Sequence, residues 1–329
     1  MSLSRPSARL SIDGNARAAD EAALLRLRVE LTIGGSHDAA SIELWPHSAF
    51  AGTAPGAQIE VALGERDSEA AVLTGKVNGR ERTPRGVRLD VLASTAALSR
   101  TTKSQSYRGQ SVADIVRDLA GAVSLDQVDA SLALDAYHVD NRVPVWMHLQ
   151  SLAALVGADL GSAADGSLRF VPATSPTAPM TLRYGAELLD WAIELCTAEP
   201  AASVSAWGAA SEAGASRWSW PRHDPVGAGA APTRLIGALS SRDAAQSVGD
   251  ALSAAAARAS LRGTLVVPGR PGLRPGDAVE TSGLPGGDPG TLRVRAVRHD
   301  FDASFGFITR LQIEGGGSGG PGASIGALG

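Results

Sequence analysis

Up to Thr95 the chain is built of short runs in which apolar and polar residues alternate. In the clearest of them Leu25, Leu27, Val29 and Leu31 are interleaved with Arg26, Arg28 and Glu30, the period of two that gives a strand one dry and one wet face. The pattern predicts strands over 8–12, 24–33, 40–45, 57–63, 71–80 and 86–93, punctuated by turn residues at Gly34-Gly35, Pro55-Gly56 and Pro84-Arg85-Gly86. Six short strands at this spacing predict a small β-barrel or sandwich over 1–99.

The period then becomes helical. Ser111 and Asp114 form an S-x-x-D capping box, and Val112, Ile115, Val116, Leu119, Ala120 and Val123 follow at spacings of three and four, which predicts a helix over 112–123. A second helix starts at Pro144, carries Trp146, Leu149, Leu152, Ala153 and Val156, and stops at Gly157. Strands at 158–161 and 168–171 flank the turn Asp165-Gly166, so 100–172 is expected to be an α/β insert. Beyond the linker 173–179, strands are predicted over 180–184, 188–197, 202–207, 261–267, 277–281, 291–300 and 307–314. Between them lie a low-complexity Ala/Gly/Ser/Pro loop at 208–233 and an Ala-rich helix, capped by Ser240 and Asp243, that runs to residue 259. The expected organisation is mainly β with an α/β insert: two similar small β-barrels at 1–99 and 173–314, the second carrying the loop and helix at 208–259, and a flexible Gly/Ser-rich tail at 315–329.

The similarity of the two barrels comes from sliding the chain against itself. A gapless shift of 220 sets Gly52, Pro55, Gly56, Glu60, Val77 and Gly86 on Gly272, Pro275, Gly276, Glu280, Val297 and Gly306. Apolar parity follows: Val72 meets Leu292, Val87 meets Phe307, Val91 meets Leu311 and Ala93 meets Ile313. At a shift of 162, residues 40–45, ending in Trp45, resemble residues 202–207, ending in Trp207, which makes both tryptophans core candidates and places an added segment inside the second barrel.

Composition narrows the chemistry. A net charge of −4 does not favour a surface built to neutralise nucleic-acid phosphates, and no apolar run is long enough to span a membrane. The start of the chain lacks the basic-then-apolar pattern of a signal peptide. Cys196 is the single cysteine, so no intrachain disulfide can form, and its alternating neighbours mark it as a small apolar side chain rather than a nucleophile. His37, His47, His138, His148, His223 and His299 are scattered without metal or triad spacing. Glu60 and Glu280 imitate a carboxylate pair, yet the repeat puts them on separate barrels, and the glycine pairs Gly34-Gly35 and Gly286-Gly287 lack the spacing of a phosphate loop. No catalytic, cofactor-binding or metal-binding residue emerges. Trp218 and Trp220, two large aromatics in a loop that can bury little itself, are candidate contacts for a partner protein.

From residue 24 to 314 the chain resembles the late-control D, or baseplate-hub, family of phage tails, which includes the first part of type VI secretion spike proteins. The resemblance is carried, in order, by Val72-Leu73-Thr74-Gly75-Lys76-Val77, by Tyr107-Arg108-Gly109-Gln110-Ser111-Val112-Ala113-Asp114-Ile115-Val116, by the helix from Trp146 to Gly157 with Asp165-Gly166-Ser167-Leu168-Arg169-Phe170, and by Leu273-Arg274-Pro275-Gly276-Asp277-Ala278-Val279-Glu280. It departs from the family at Ala93-Ser94-Thr95 and Val143-Pro144, where an aspartate is common, and no spike module follows Glu314. The resemblance implies a tail-hub fold and a non-enzymatic protein without cofactors. It further implies a homotrimeric ring of pseudo-sixfold symmetry at the baseplate of a virion tail or tail-like particle, assembled in the bacterial cytoplasm. The implied partners are the tail tube protein, a separate central spike protein, and other baseplate proteins including the tape measure, with no sequence-specific nucleic acid and no membrane insertion. Two rival classes are a tail-tip wall hydrolase, which needs convergent acid/base or metal residues, and a receptor- or carbohydrate-binding β-module.

Overall fold

The computed structural model describes residues 5–174, 178–197, 204–206, 234–236, 238–239, 242–302 and 306–316. The first half of the molecule holds β1 (Pro6–Ile12), β2 (Asn15–Ala18), β3 (Leu24–Thr32), β4 (Ala39–Leu44), β5 (Gln58–Glu65), β6 (Ala70–Thr83) and β7 (Gly86–Ala93), closed by a 3-10 turn at Ser94–Ser99. These antiparallel strands lie in the order β3-β4-β7-β6-β5-β1-β2. The alternation forecast from sequence is present as burial: Leu27, Val29 and Leu31 are buried in β3, and Ile42 and Leu44 in β4.

The insert follows as β8 (Gln105–Ser111), α1 (Val112–Ala120), β9 (Leu125–Val128), β10 (Ala133–Val139), α2 (Val145–Val156), β11 (Ala158–Ser162) and β12 (Leu168–Pro172). Ser111 caps α1 by accepting from the Asp114 amide at 3.1 Å, and Gly157 ends α2 in the left-handed conformation at φ 63°, ψ 42°. Its core gathers Tyr107, Ile115, Val116, Trp146, Leu149, Leu152, Leu160 and Phe170. The Gly34-Gly35 turn does more than connect β3 to β4. The Gly34 amide donates to the Leu160 carbonyl at 2.8 Å and the Gly35 carbonyl accepts from Trp146 Nε1 at 3.2 Å, docking the insert on the first half.

The remainder comprises β13 (Met180–Arg183), β14 (Asp190–Leu195), β15 (Val204–Ala206), β16 (Arg234–Ile236), α3 (Arg242–Ala259), β17 (Leu261–Pro268), β18 (Ala278–Ser282), β19 (Thr291–Asp302) and β20 (Gly306–Gly315). Strands β14, β17, β20 and β19 are neighbours in that order, β18 adds to β19, and β13 pairs with β18 in parallel. β19 also pairs with β3, so both halves share one continuous sheet and one apolar core. α3 sends Ala245 and Val248 into the core of the insert.

Two sequence expectations are corrected. Residues 204–206 do not repeat β4: they form β15, which pairs in parallel with β16 in a ladder separate from the main sheet. Trp45 is not core but 47 % exposed, because β4 ends at Leu44 and turns the next side chain outward. Trp207, the loop 208–233 with Trp218 and Trp220, and the tail from 317 onward lie outside the described residues.

The two halves nevertheless repeat each other. The Gly56 amide donates to the Val77 carbonyl at 2.7 Å and the Val77 amide to Ala57 at 3.0 Å; in the second half Gly276 donates to Val294 at 2.8 Å and Val294 to Asp277 at 2.8 Å. Each hairpin then carries a bulge just past that valine, Val77 opposing Val91 in one and Val294 opposing Ile313 in the other. The shift of 220 therefore holds at Gly56/Gly276 and Glu60/Glu280, but β6 and β19 differ by 217 (294 minus 77) and β7 and β20 by 222 (313 minus 91). The gapless matches Val77/Val297, Val72/Leu292, Val87/Phe307, Val91/Leu311 and Ala93/Ile313 are thus replaced by Val77/Val294, Leu89/Leu311 and Val91/Ile313. The cause is hairpin length: between equivalent positions the β5–β6 hairpin is three residues longer than β18–β19 (Glu60 to Val77, 17, against Glu280 to Val294, 14), and the β19–β20 hairpin is five residues longer than β6–β7 (Val294 to Ile313, 19, against Val77 to Val91, 14). Continuing outward, β17 takes the place of β4, with Leu265 at Ile42, and β14 takes the place of β3, with Trp191 at Leu27 and Ile193 at Val29.

Candidate functional site

The repeat brings together what sequence singled out, though not as a chemical site. Gly56 (φ 94°) and Gly276 (φ 97°) sit in the left-handed region at the same turn of each half, where glycine carries no steric penalty. Glu60 opposes Thr74 across β5 and β6, and Glu280 opposes Thr291 across β18 and β19. In the second pair the Thr291 hydroxyl donates to Glu280 Oε1 at 2.6 Å. The two glutamates belong to separate β-modules, as the repeat required, and act as cross-strand partners rather than as an acid/base pair.

The seam between β19 and β3 is where the halves meet. Its register runs from Ala296 opposite Thr32 to Asp302 opposite Arg26. On the inner face Val297 and Phe301 meet Leu31 and Leu27, all buried. On the outer face Arg28 Nε reaches Asp300 at 3.1 Å and Arg26 Nε reaches Asp302 at 3.4 Å. His299 lies within the seam, wholly buried, with Nδ1 3.0 Å from the Thr309 hydroxyl and its ring edge-on to Phe307. Burial there holds its pKa down at about 3, with the nearby Arg274 guanidinium adding to the effect, so the ring is neutral at neutral pH.

Behind the seam lies a polar groove of about 500 Å³ between the insert and both β-modules, lined by Asp38, Asp159, Arg169, Arg274 and Asp277 among others. Arg293, 1 % exposed, donates to Glu314 at 2.8 Å and pairs with Asp159 of the insert, while Arg258 of α3 approaches Glu314 at 3.4 Å. This cluster ties α3, β11, β19 and β20 together. Burial raises the Asp159 carboxyl, opposed by the charge of Arg293. Asp38 is buried too, and burial pushes its carboxyl up to about 7 although it accepts the Thr32 amide at 2.8 Å. Arg274 spans from the second half to the Ala71 carbonyl of the first at 3.2 Å. Neither Arg293 nor Asp38 stood out in the sequence: Arg293 falls in an ordinary alternating strand and Asp38 in a turn, so only the tertiary fold reveals them.

Arg293, Asp159, Glu314 and Arg258 are tied to one another as structural pairs. Among the described residues no cluster of three or more His, Cys, Asp or Glu is placed to hold a metal ion, and no helix is long and apolar enough to cross a membrane. Cys196 is partly exposed at the end of β14.

The fold is that of phage tail proteins. Over 95 % of its length the chain superposes on 97 % of a tail protein from Neisseria meningitidis MC58 with a TM-score of 0.70 and 18 % identity. It matches 99 % of a 43 kDa tail protein of prophage MuSo2 from Shewanella oneidensis over 95 % of its own length, with a TM-score of 0.68 and 13 % identity. It also covers 73 % of the Escherichia coli c3393 protein, a component of the type VI secretion system described as structurally similar to the bacteriophage T4 tail proteins gp27 and gp5, with a TM-score of 0.59 and 12 % identity. No family profile matches the chain, and no curated protein sequence does.

Proposed function

We propose that this protein is a structural baseplate hub of a phage tail or phage-tail-like injection particle. Three copies form a ring in which six similar β-modules face a sixfold tail tube, while the threefold ring itself seats a separate central spike protein. The observation that carries this reading is the repeated module, with its shared glycine turn, bulge and cross-strand Glu–Thr pair, because two modules per chain let a trimer imitate sixfold geometry. Likeness to tail proteins in fold supports a mechanical role in the virion tail or particle baseplate. Other baseplate proteins and the tape measure complete its contacts, with Trp218 and Trp220 serving as partner anchors. Light scattering or native mass measurement of the purified chain tests the reading: a trimer is expected, and a monomer at high concentration overturns it. Replacing both Trp218 and Trp220 by Ala is expected to weaken attachment of the tail tube protein in a pull-down while leaving the ring intact.

A further inference from the structure

The internal seam is a joint between two element types: the far half of the long bulged strand and the outermost strand of the neighbouring module. The chain contains that joint once complete, as β19 on β3, and once as two separated halves. The half of β6 that corresponds to the seam, Gly79–Thr83, pairs with β7 on one edge, and among the described residues nothing pairs with its other edge. The outer edge of β14, the counterpart of β3, is equally unpaired among the described residues. Unpaired edges of this kind are ready templates for another strand.

Resting on the hub reading above, we infer that β14 of one copy pairs antiparallel with the distal half of β6 in the next copy, repeating between chains the β19–β3 seam within the chain. The equivalences already established set the register: Gly79 opposite Cys196, Arg80 opposite Leu195, Arg82 opposite Ile193 and Thr83 opposite Ala192. Such a joint uses two different surfaces of the chain, so it propagates head to tail and closes into a ring.

Two independent observations support it. Of the seven large apolar side chains exposed on the described surface, Leu189 and Leu195, each 53 % exposed, lie just before β14 and at its end. The charges also match. The β6 end is basic through Arg80, Arg82 and Arg85, whereas β14 is acidic through Asp190 and Glu194. Within the chain the polarity is reversed, with Arg26 on β3 facing Asp302 on β19; in the proposed joint Asp190 comes beside the β6–β7 turn that holds Arg85. Glu81 and Glu194 face each other in this register, each held by its own arginine, Arg88 at 2.8 Å and Arg262 at 3.0 Å.

The single native cysteine makes the register testable in the full-length protein. A Cβ on Gly79 has open space, its nearest neighbour being Asp90 Oδ2 at 3.8 Å, so Gly79→Cys is tolerated. Under mild oxidation Gly79→Cys is expected to give a non-reducing ladder of covalent dimer and trimer. The wild type, with one thiol per chain, can give no more than a dimer, and Cys196→Ser in the Gly79→Cys background abolishes the ladder. Arg80→Cys with Leu195→Cys in a Cys196→Ser background samples the adjacent pair, in case the first falls in unfavourable disulfide geometry. If neither pair produces a ladder while the mass remains trimeric, the joint lies elsewhere and the inference fails alone. A monomeric mass overturns it together with the hub reading.

Discussion

The two β-modules share a backbone plan and differ in what they do with it. At the position of Val297, buried against Leu31, the first module has Arg80, exposed, with Nη1 2.7 Å from the Gly52 carbonyl; at that of His299 it has Arg82, also exposed. At the position of Arg293, sealed between Asp159 and Glu314, it has the exposed Lys76. The modules also end differently, the first on the antiparallel ribbon β1–β2 and the second on the parallel strand β13. Side-chain identity therefore follows the local environment rather than ancestry of the backbone: wherever the insert or the opposite module covers a strand, the residue becomes apolar or paired, and elsewhere it stays charged.

Exchanging residues between equivalent positions should expose that difference. Val297→Arg places in the buried seam the residue its counterpart carries, and an unpaired buried charge of this kind is expected to cost on the order of 3–5 kcal/mol in chemical denaturation. The reciprocal Arg80→Val should lie within about 0.5 kcal/mol of wild type for the isolated chain. Similar costs for the two would break the assignment of one seam as closed and the other as open. Arg293→Ala strands Asp159 and Glu314 inside the protein and is likewise expected to cost about 3–5 kcal/mol, against roughly zero for Lys76→Ala.

How much of this was visible beforehand follows from where burial is one-sided. The strands of both modules show themselves by alternation because each has one wet face, and the duplication shows itself at Gly56 and Gly276 because a left-handed turn admits few other residues. The offsets of β6 and β7 were hidden, since hairpins can lengthen without leaving a mark on the strands they join. Residues 202–207 resembled β4 in type alone, and partnership across the sheet, which no local pattern encodes, went to β17 instead. In the insert, β8 and β9 escaped notice because they are mostly exposed and polar, so neither shows an apolar period. The Arg293 cluster and Asp38 depend on contacts between distant segments and have no local signature.

The seam carries a pH signature that the first module lacks. His299 is neutral in the folded protein down to about pH 3, whereas an unfolded histidine takes up its proton near 6.5. Between those values the unfolded chain binds more protons, so wild-type stability drains away as pH falls below about 6.5. His299→Gln removes this term, and its penalty relative to wild type should shrink by about 2 kcal/mol between pH 7 and 5. Arg82→Gln, at the equivalent position, should show no such slope. Asp38 works in the opposite sense: with its carboxyl raised to about 7, the folded state keeps a proton that the unfolded state releases near 4, and stability is lost as pH rises through that interval. Asp38→Asn should therefore gain on wild type between pH 5 and 8, and a pH-independent difference for either variant would refute the burial assigned to it.

The smallest effect is the sharpest test of equivalence. Gly56 and Gly276 occupy nearly the same backbone conformation, φ 94° and 97°. The surroundings of a new Cβ are also close: nothing lies within 4 Å at Gly56, and only the ends of Asp159 and Arg293 lie at 3.5 and 3.9 Å at Gly276. An alanine at either site pays the backbone strain of the left-handed region with little crowding, a cost of about 1–2 kcal/mol. If the modules are copies of one turn, Gly56→Ala and Gly276→Ala should agree within about 0.5 kcal/mol and their costs should add in the double variant, because the sites share no neighbour. Unequal costs would mean that the second turn is held by the Asp159–Arg293 contact as well as by its own backbone, and that the insert has altered the module it covers.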